Sequence, residues 1–296
     1  MKSHLKIVLL CCMVLYYLQY KSFSQRTSKE ENLFKRNFQS AVALTVDPSG
    51  NIFVLDGGTS EVFKYSSDGK LLHKIGGHGW SNDSFDQPSD IFTSNGLDFY
   101  VADYGNHRIQ RFDRNLNYVS TLSLRDEENQ NMRFGYPKSI AVDRFGALYL
   151  LDGENIRIMK LKGNIVEKVF GGIDAGKGRL ENPKKIRVSD DDKVYVLDAH
   201  SIVVFDIYGN FIQAYPETMF DDIRAIALFS DGLALLDSCQ FKFIGLKKID
   251  NSFADTSQGK LCEVNDFVFR QNKAFLLTKN RFFELPFEQV IKENEK

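Results

Sequence analysis

The segment Ile52-Phe53-Val54-Leu55-Asp56 is the first of six related short apolar runs, five of which end in an aspartate. The runs end at Asp56, Asp103, Asp152, Asp198, Asp237 and, in a degenerate sixth copy, Thr278. The last residues of successive copies lie 47, 49, 46, 39 and 41 residues apart. Self-similarity at a period of about 40 to 50 residues is typical of a β-propeller in which each repeat forms one blade. The sequence therefore predicts an all-β fold, a six-bladed β-propeller of four-stranded antiparallel blades.

The third repeat shows most clearly how one blade is built. Four short runs, at 139–143, 147–151, 156–161 and 165–170, are separated by turns rich in Gly, Asn and Asp. Short β-branched and aromatic runs between such turns are typical of antiparallel hairpins. The innermost strands of the six blades are expected to begin near Ala43, Ile91, Ile140, Ile186, Ile226 and Phe267.

The repeated aspartate has a structural interpretation. It ends the second strand of each blade, where its carboxylate could accept hydrogen bonds from backbone N–H groups of the following turn. We therefore expect a scaffold role rather than a catalytic one for Asp56, Asp103, Asp152, Asp198 and Asp237.

The first 24 residues have the pattern of an export signal. Lys2 and Lys6 precede an apolar run over 7–18, and small residues follow at 22 and 24. This order predicts a signal peptide over 1–24 and an extracytoplasmic, secreted or periplasmic protein. An uncleaved anchor is the alternative, but twelve apolar residues fall short of the roughly 20 that span a bilayer. No stable membrane span is expected after cleavage.

The remaining chain divides into an N-terminal segment, 25–37, and the propeller, 38–296. The stretch 32–38 is apolar enough to supply the closing strand of the last blade, and residues 287–291 are the alternative.

Without residues 1–24 the chain has 35 basic and 39 acidic residues, a net charge of −4. This balance argues against nucleic acid as a partner, because phosphate binding relies on clustered Lys and Arg.

Export changes the interpretation of the two cysteines of the propeller. Cys239 follows the second strand of blade five, and Cys262 precedes the first strand of blade six, so both should emerge on the same face. In a compartment that permits disulfides, a bridge between them is plausible. Two buried free thiols are the alternative.

The second repeat resembles a known family. Its sequence from Phe99 to Asp113 contains Asn106-His107-Arg108-Ile109, the core of the motif that names the NHL repeats. The resemblance covers roughly residues 38–285, more loosely outside blade two, and implies a six-bladed propeller. NHL proteins include ligand-binding scaffolds, RNA-binding domains and the peptidyl-amidating lyases, whose zinc ligands are His residues near the central axis. This chain has no His at the start of any inner strand.

The loop over 76–85 is the most distinctive candidate for a binding site. It contains Trp80, the only tryptophan, among Gly, Asn and Ser residues. An exposed indole offers a flat apolar face and a polar tip, which suit a sugar ring or a peptide side chain. Alternatively, Trp80 folds inward between two blades.

A second candidate site is a ring of cations at the channel mouth. Aligning the inner strands places Ser89, Lys138, Lys184 and Arg224 at equivalent positions. Three consecutive cations could hold a carboxylate or another anion. They could equally be solvated or paired with nearby acids.

Three histidines, His78, His107 and His200, fall in loops of the same predicted face, so a three-His zinc site is conceivable.

We expect instead a binding scaffold without a catalytic set, metal or cofactor, whose partner is a protein, peptide or glycan on this face. The alternative is a metal-dependent lyase or hydrolase, amidating-lyase-like or lactonase-like, with zinc or calcium at the central channel.

Overall fold

The structure, a computed structural model, describes residues 37–93, 95–229, 232–244 and 260–286. The predicted signal peptide and almost all of the N-terminal segment lie outside these residues, as do both candidate closing strands except for Asn37 and Phe38. Blade one comprises β1 (Ala41–Val46), β2 (Ile52–Asp56), β3 (Glu61–Tyr65) and β4 (Leu71–Gly76). Blade two comprises β5 (Asp90–Phe92), β6 (Asp98–Asp103), β7 (Arg108–Asp113) and β8 (Tyr118–Leu122).

The other blades follow the same order. Blade three comprises β9 (Pro137–Val142), β10 (Leu148–Asp152), β11 (Arg157–Lys162) and β12 (Ile165–Phe170). Blade four comprises β13 (Pro183–Val188), β14 (Lys193–Asp198), β15 (Ser201–Asp206) and β16 (Phe211–Tyr215). Blade five contains β17 (Ile223–Phe229), β18 (Gly232–Asp237) and β19 (Gln240–Ile244), and blade six contains β20 (Val264–Arg270), β21 (Lys273–Thr278) and β22 (Phe282–Pro286).

Each blade is an antiparallel sheet whose strands are hydrogen-bonded in chain order. The predicted six-bladed propeller is confirmed, with four strands in blades one to four and three in the described parts of blades five and six. The inner strands begin one to three residues earlier than expected. Among the described residues, no helix has the length and apolar character needed to cross a membrane.

Two faces of the ring are distinguished below. The connector face carries the segments that lead into each first strand and the turns between second and third strands. The turn face, on the other side, carries the turns between first and second and between third and fourth strands. Both surround a central channel lined by the six inner strands.

Apolar clusters between neighbouring blades hold the ring together, because both faces of each sheet are covered. Between blades one and two, the rings of Phe53 and Phe99 stack with centroids 4.8 Å apart. Between blades six and one, Phe38 packs with Phe282, and the N–H of Phe38 donates to the carbonyl of Asn280 at 2.9 Å. The ring is therefore closed by packing of the first blade on the last.

Five turns between second and third strands contain a non-glycine residue in the left-handed region, with φ between 51° and 54°. These residues are Ser60, His107, Ile156, Ala199 and Ser238. A β-branched side chain is disfavoured there, because its Cβ substituents crowd the backbone. Ile156 is also 39% exposed, so little apolar burial offsets this strain.

Replacing Ile156 should therefore stabilise the fold. We expect Ile156→Asn to raise the free energy of unfolding by about 1 kcal/mol, because asparagine tolerates the left-handed conformation. Urea unfolding measures the change. Ile173→Asn is the control, since Ile173 is exposed without a positive φ. An unchanged or lower stability of Ile156→Asn would contradict the assignment of strain.

The sulfurs of Cys239 and Cys262 are bonded to each other on the connector face, with 4.4 Å between the Cα atoms. The bridge joins the turn after β18 to the segment leading into β20. It closes a loop with a sequence separation of 23 residues.

Removing the bridge should destabilise the propeller. For a loop of this length, the chain-entropy model predicts that the double variant Cys239→Ser, Cys262→Ser loses about 3 kcal/mol of unfolding free energy. Denaturant titration of the variant measures this loss, and reduced wild-type protein should match it. Detection of both cysteines as free thiols in a mass spectrum of an unreduced digest would contradict the presence of the disulfide.

Candidate functional site

The repeated aspartates fix the connector face. In every blade that carries one, the carboxylate accepts hydrogen bonds from backbone N–H groups of the segment leading into its own blade, 15 to 17 residues earlier in the chain. Asp56 and Asp152 also accept from the following turn, as the sequence predicted. The scaffold role therefore extends beyond that turn, because each aspartate ties the start of a blade to the end of its second strand.

The NHL motif of blade two continues this network into the loop over 77–86. Arg108 donates from Nε to Asp103 at 2.7 Å, from Nη1 to the carbonyl of Trp80 at 3.0 Å, and from Nη2 to two further carbonyls of the loop at 2.9 Å. Asn106 donates to the carbonyl of Gly79 at 2.9 Å and to Asp103 at 2.8 Å. We call Asp103, Asn106 and Arg108 the loop clamp.

The clamp holds the loop while leaving its tryptophan accessible. Phe85 is fully buried and pairs with Gly77 and Gly79 through backbone hydrogen bonds. The side chain of Trp80 is 67% exposed, so the inward orientation considered from the sequence is wrong. The backbone of the loop is thus fixed by hydrogen bonds while the indole of Trp80 remains accessible to a ligand.

Beside the clamp lies an aromatic cluster of Tyr104, His107 and Tyr136. The ring centroids of His107 and Tyr136 are 4.1 Å apart, and those of the two tyrosines are 5.1 Å apart. Burial lowers the pKa of His107, and Arg125 lowers it further. The neutral ring accepts a hydrogen bond at Nδ1 from the N–H of Tyr136 at 3.2 Å.

The two tyrosines were missed by the sequence reasoning. Tyr104 directly follows the repeated aspartate, and Tyr136 precedes the proline that opens β9, so their positions alone could have placed both on the connector face. Their contact joins blades two and three, which no local pattern reveals.

The other two candidate histidines lie apart from this cluster. His78 is close to Asp86, with 3.4 Å between Nδ1 and Oδ1, and His200 lies 4.0 Å from Asp222. Both side chains are exposed. In the described part of the chain, no three His, Cys, Asp or Glu residues are grouped so that they could hold a metal ion. The structure thus does not bring the three histidines together.

The predicted cations Lys138, Lys184 and Arg224 occupy one equivalent position in blades three, four and five, a β-bulge at the start of the inner strand. Arg224 donates to the carbonyls of Leu261 and Cys262 in the next blade, and Lys138 lies 3.5 Å from the side-chain oxygen of Asn182. Lys184 is exposed. Two of these cations therefore bridge neighbouring blades, and Lys184 points to solvent.

The central channel is crossed by a buried ionic cluster, defined as Asp90, Lys185, Arg187 and Asp266. Lys185 Nζ lies 3.3 Å from Asp90 Oδ1 and 2.7 Å from Asp266 Oδ2, and Arg187 Nη1 lies 3.3 Å from Asp90 Oδ2. The residues come from blades two, four and six. Both carboxylates are almost fully buried, so this cluster, with two charges of each sign, joins opposite sides of the ring.

Comparison with known proteins agrees with this architecture. An NHL repeat family model matches residues 85–112, the stretch that contains the loop clamp. A probable peptidyl-α-hydroxyglycine α-amidating lyase from Caenorhabditis elegans is 28% identical over 130 residues. That match takes in 42% of this chain and 37% of the relative, so the chain spans little more than a third of the relative's length.

Solved propellers are similar in fold. Virginiamycin B lyase from Staphylococcus aureus, in an inactive form with quinupristin, superimposes with a TM-score of 0.58 at 15% identity, covering 82% of this chain and 79% of that one. The extracellular domain of a hybrid two-component system from B. thetaiotaomicron gives 0.56 at 12% identity, over 83% of this chain and 33% of that one. The chain is a six-bladed β-propeller that contains a match to the NHL repeat at residues 85–112.

Proposed function

We propose that this protein is an exported binding module that uses its connector face to bind a peptide or glycan. One observation carries the proposal. Arg108 and Asn106, both nearly buried, donate hydrogen bonds to backbone carbonyls of a loop whose tryptophan remains exposed. An immobilised, exposed indole loses little conformational freedom when a ligand stacks on it. The clamp therefore favours recognition at Trp80 over a purely structural role for the loop.

The chemistry of this face fits a ligand with a flat apolar surface and hydrogen-bonding groups. Trp80 offers an indole, and the cluster of Tyr104, His107 and Tyr136 adds rings with polar atoms at their edges. Sugar rings and aromatic peptide side chains share these requirements. The export part of the proposal is supported by the bond between Cys239 and Cys262, since disulfides persist in oxidising compartments.

The proposal is tested by screening mature protein on peptide and glycan arrays and then substituting Trp80. We expect Trp80→Ala to weaken binding of any hit about tenfold or more, because a central aromatic anchor is typically a hot spot. Tyr208→Ala is the matched control, since Tyr208 is equally exposed but lies on the turn face. An equal loss of affinity in both variants, or no loss of affinity in Trp80→Ala, would contradict the proposal.

A metal-dependent lyase is the second candidate, because the name of the C. elegans relative gives that protein a lyase activity. The channel acids fit a metal poorly, since the ammonium of Lys185 already contacts both carboxylates. Elemental analysis of mature protein purified without chelators separates the candidates. About one zinc or calcium per chain that resists dialysis would favour the lyase and call for amidating-lyase and lactonase substrates. Metal-free, folded protein would favour the binding module.

A further inference from the structure

The channel opens on the turn face into a cavity of about 750 Å³, which we call the funnel. This volume lies within the range of small-molecule sites. Four phenylalanines and three arginines line its wall, among them Phe92, Phe145, Phe269, Arg144, Arg187 and Arg270. The funnel is at the opposite end of the channel from Trp80 and uses none of the residues of the proposed connector-face site.

Arg187 forms the base of the funnel and is 7% exposed. Its Nη1 donates to Asp90 at 3.3 Å and to the carbonyl of Ile186 at 2.8 Å, which accounts for both protons on that nitrogen. Its Nε and Nη2 have no hydrogen-bond partner among the described residues. Neither nitrogen is a fully buried donor that lacks a partner, so both keep some access to the solvent of the funnel. A ligand oxygen can therefore replace water and accept hydrogen bonds from them.

The free pair of nitrogens defines the shape of that ligand group. Nε and one Nη of a guanidinium form a side-on fork that matches the two oxygens of a carboxylate. The ionic cluster itself is balanced, because Asp90 and Asp266 offset Lys185 and Arg187. An added carboxylate therefore meets no net negative charge at the base.

The rim of the funnel is mixed in charge and apolar in part. Arg144 is paired with Asp192 at 2.7 Å and stacks on Phe145, with 4.7 Å from its guanidinium carbon to the ring centroid. Asp143 lines the wall but accepts hydrogen bonds from its own turn, and Asp190 lies exposed at the edge. Phe145 is 61% exposed, so an apolar group that enters the funnel can cover it.

We propose that the funnel binds a small carboxylate with an apolar body, whose carboxylate pairs side-on with Nε and Nη2 of Arg187 and whose body packs on the phenylalanines of the wall. This site is independent of the peptide or glycan site proposed on the connector face. Either site can exist without the other.

The test uses 2-naphthoate as the probe and neutral 2-naphthamide as its matched control, titrated calorimetrically into the mature protein. We expect 2-naphthoate to bind about tenfold more tightly than 2-naphthamide, and Arg187→Lys to remove that difference while keeping a positive charge beside Asp90. Equal affinity of both probes, no binding by folded wild-type protein, or an unchanged preference in Arg187→Lys would overturn the proposal.

A second pair of variants avoids the buried cluster, in case Arg187→Lys fails to fold. Phe145→Glu places a negative charge at the exposed rim, and Phe145→Gln is its neutral match. We expect Phe145→Glu to bind 2-naphthoate at least about threefold more weakly than Phe145→Gln, with 2-naphthamide unaffected by the difference. Indistinguishable affinities of the two variants for 2-naphthoate would place the probe outside the funnel. Trp80→Ala should leave the titration unchanged.

Discussion

Replacing Arg108 with alanine should cost the propeller about 3 kcal/mol of unfolding free energy and release the Trp80 loop. The guanidinium pairs with Asp103, whose carboxylate is fully buried, and donates to three backbone carbonyls of the loop. Burial raises the pKa of Asp103, and the hydrogen bonds from Asn106 and Arg108 oppose that rise. Without Arg108, a buried carboxylate would lose its cation and the loop carbonyls would lose their donors.

Two measurements check this result. Urea unfolding gives the lost free energy, and the fluorescence anisotropy of Trp80 reports whether its loop moves more freely. The control is Arg111→Ala on the same strand, because Arg111 pairs with Asp98 at the surface and such pairs contribute about 1 kcal/mol or less. If Arg108→Ala were no more destabilising than Arg111→Ala, the contacts of Arg108 in the loop clamp would not stabilise the fold more than a surface ion pair does.

The second large effect is expected at the channel. Asp90→Asn should lower the unfolding free energy by about 3 kcal/mol at neutral pH, because Arg187 would lose its carboxylate partner and Lys185 would keep only Asp266. Asp98→Asn, at the surface in the same blade, is the control and should cost about 1 kcal/mol or less. A loss at Asp90 no larger than at Asp98 would show that the cluster does not stabilise the ring.

The pH dependence of that difference follows from the pKa of Asp90. Burial alone would raise this pKa, but Lys185 and Arg187 bring it below its usual value. A carboxyl with a lowered pKa in the folded state stabilises the protein above its unfolded pKa of about 4 and loses this effect as pH falls through the folded pKa. The difference in unfolding free energy between wild type and Asp90→Asn should therefore be constant above about pH 5 and shrink below about pH 4. A difference that grows on acidification would contradict this assignment.

The connector-face site was only partly within reach of the sequence. The predicted loop over 76–85 and its Trp80 lie where the repeat places them, because a loop between two recognisable blades must fall on that face. The orientation of Trp80 was not predictable, since it depends on Arg108, more than 25 residues along the chain. The cation ring shows the same limit: the positions were aligned correctly, but the contact of Arg224 with blade six involves residues 37 and 38 positions away.

The sequence by itself determined the number of blades, the strands within each blade and the position of the repeated aspartate. These features depend on strand periodicity and turn chemistry, which involve residues close together in the chain. Only the tertiary structure decided which groups meet across the channel. Asp90 and Arg187 are 97 positions apart and Lys185 and Asp266 are 81 apart, so no local pattern couples them. They meet because closing the ring brings the inner strands of blades two, four and six to one axis, where their charged side chains must pair in order to be buried.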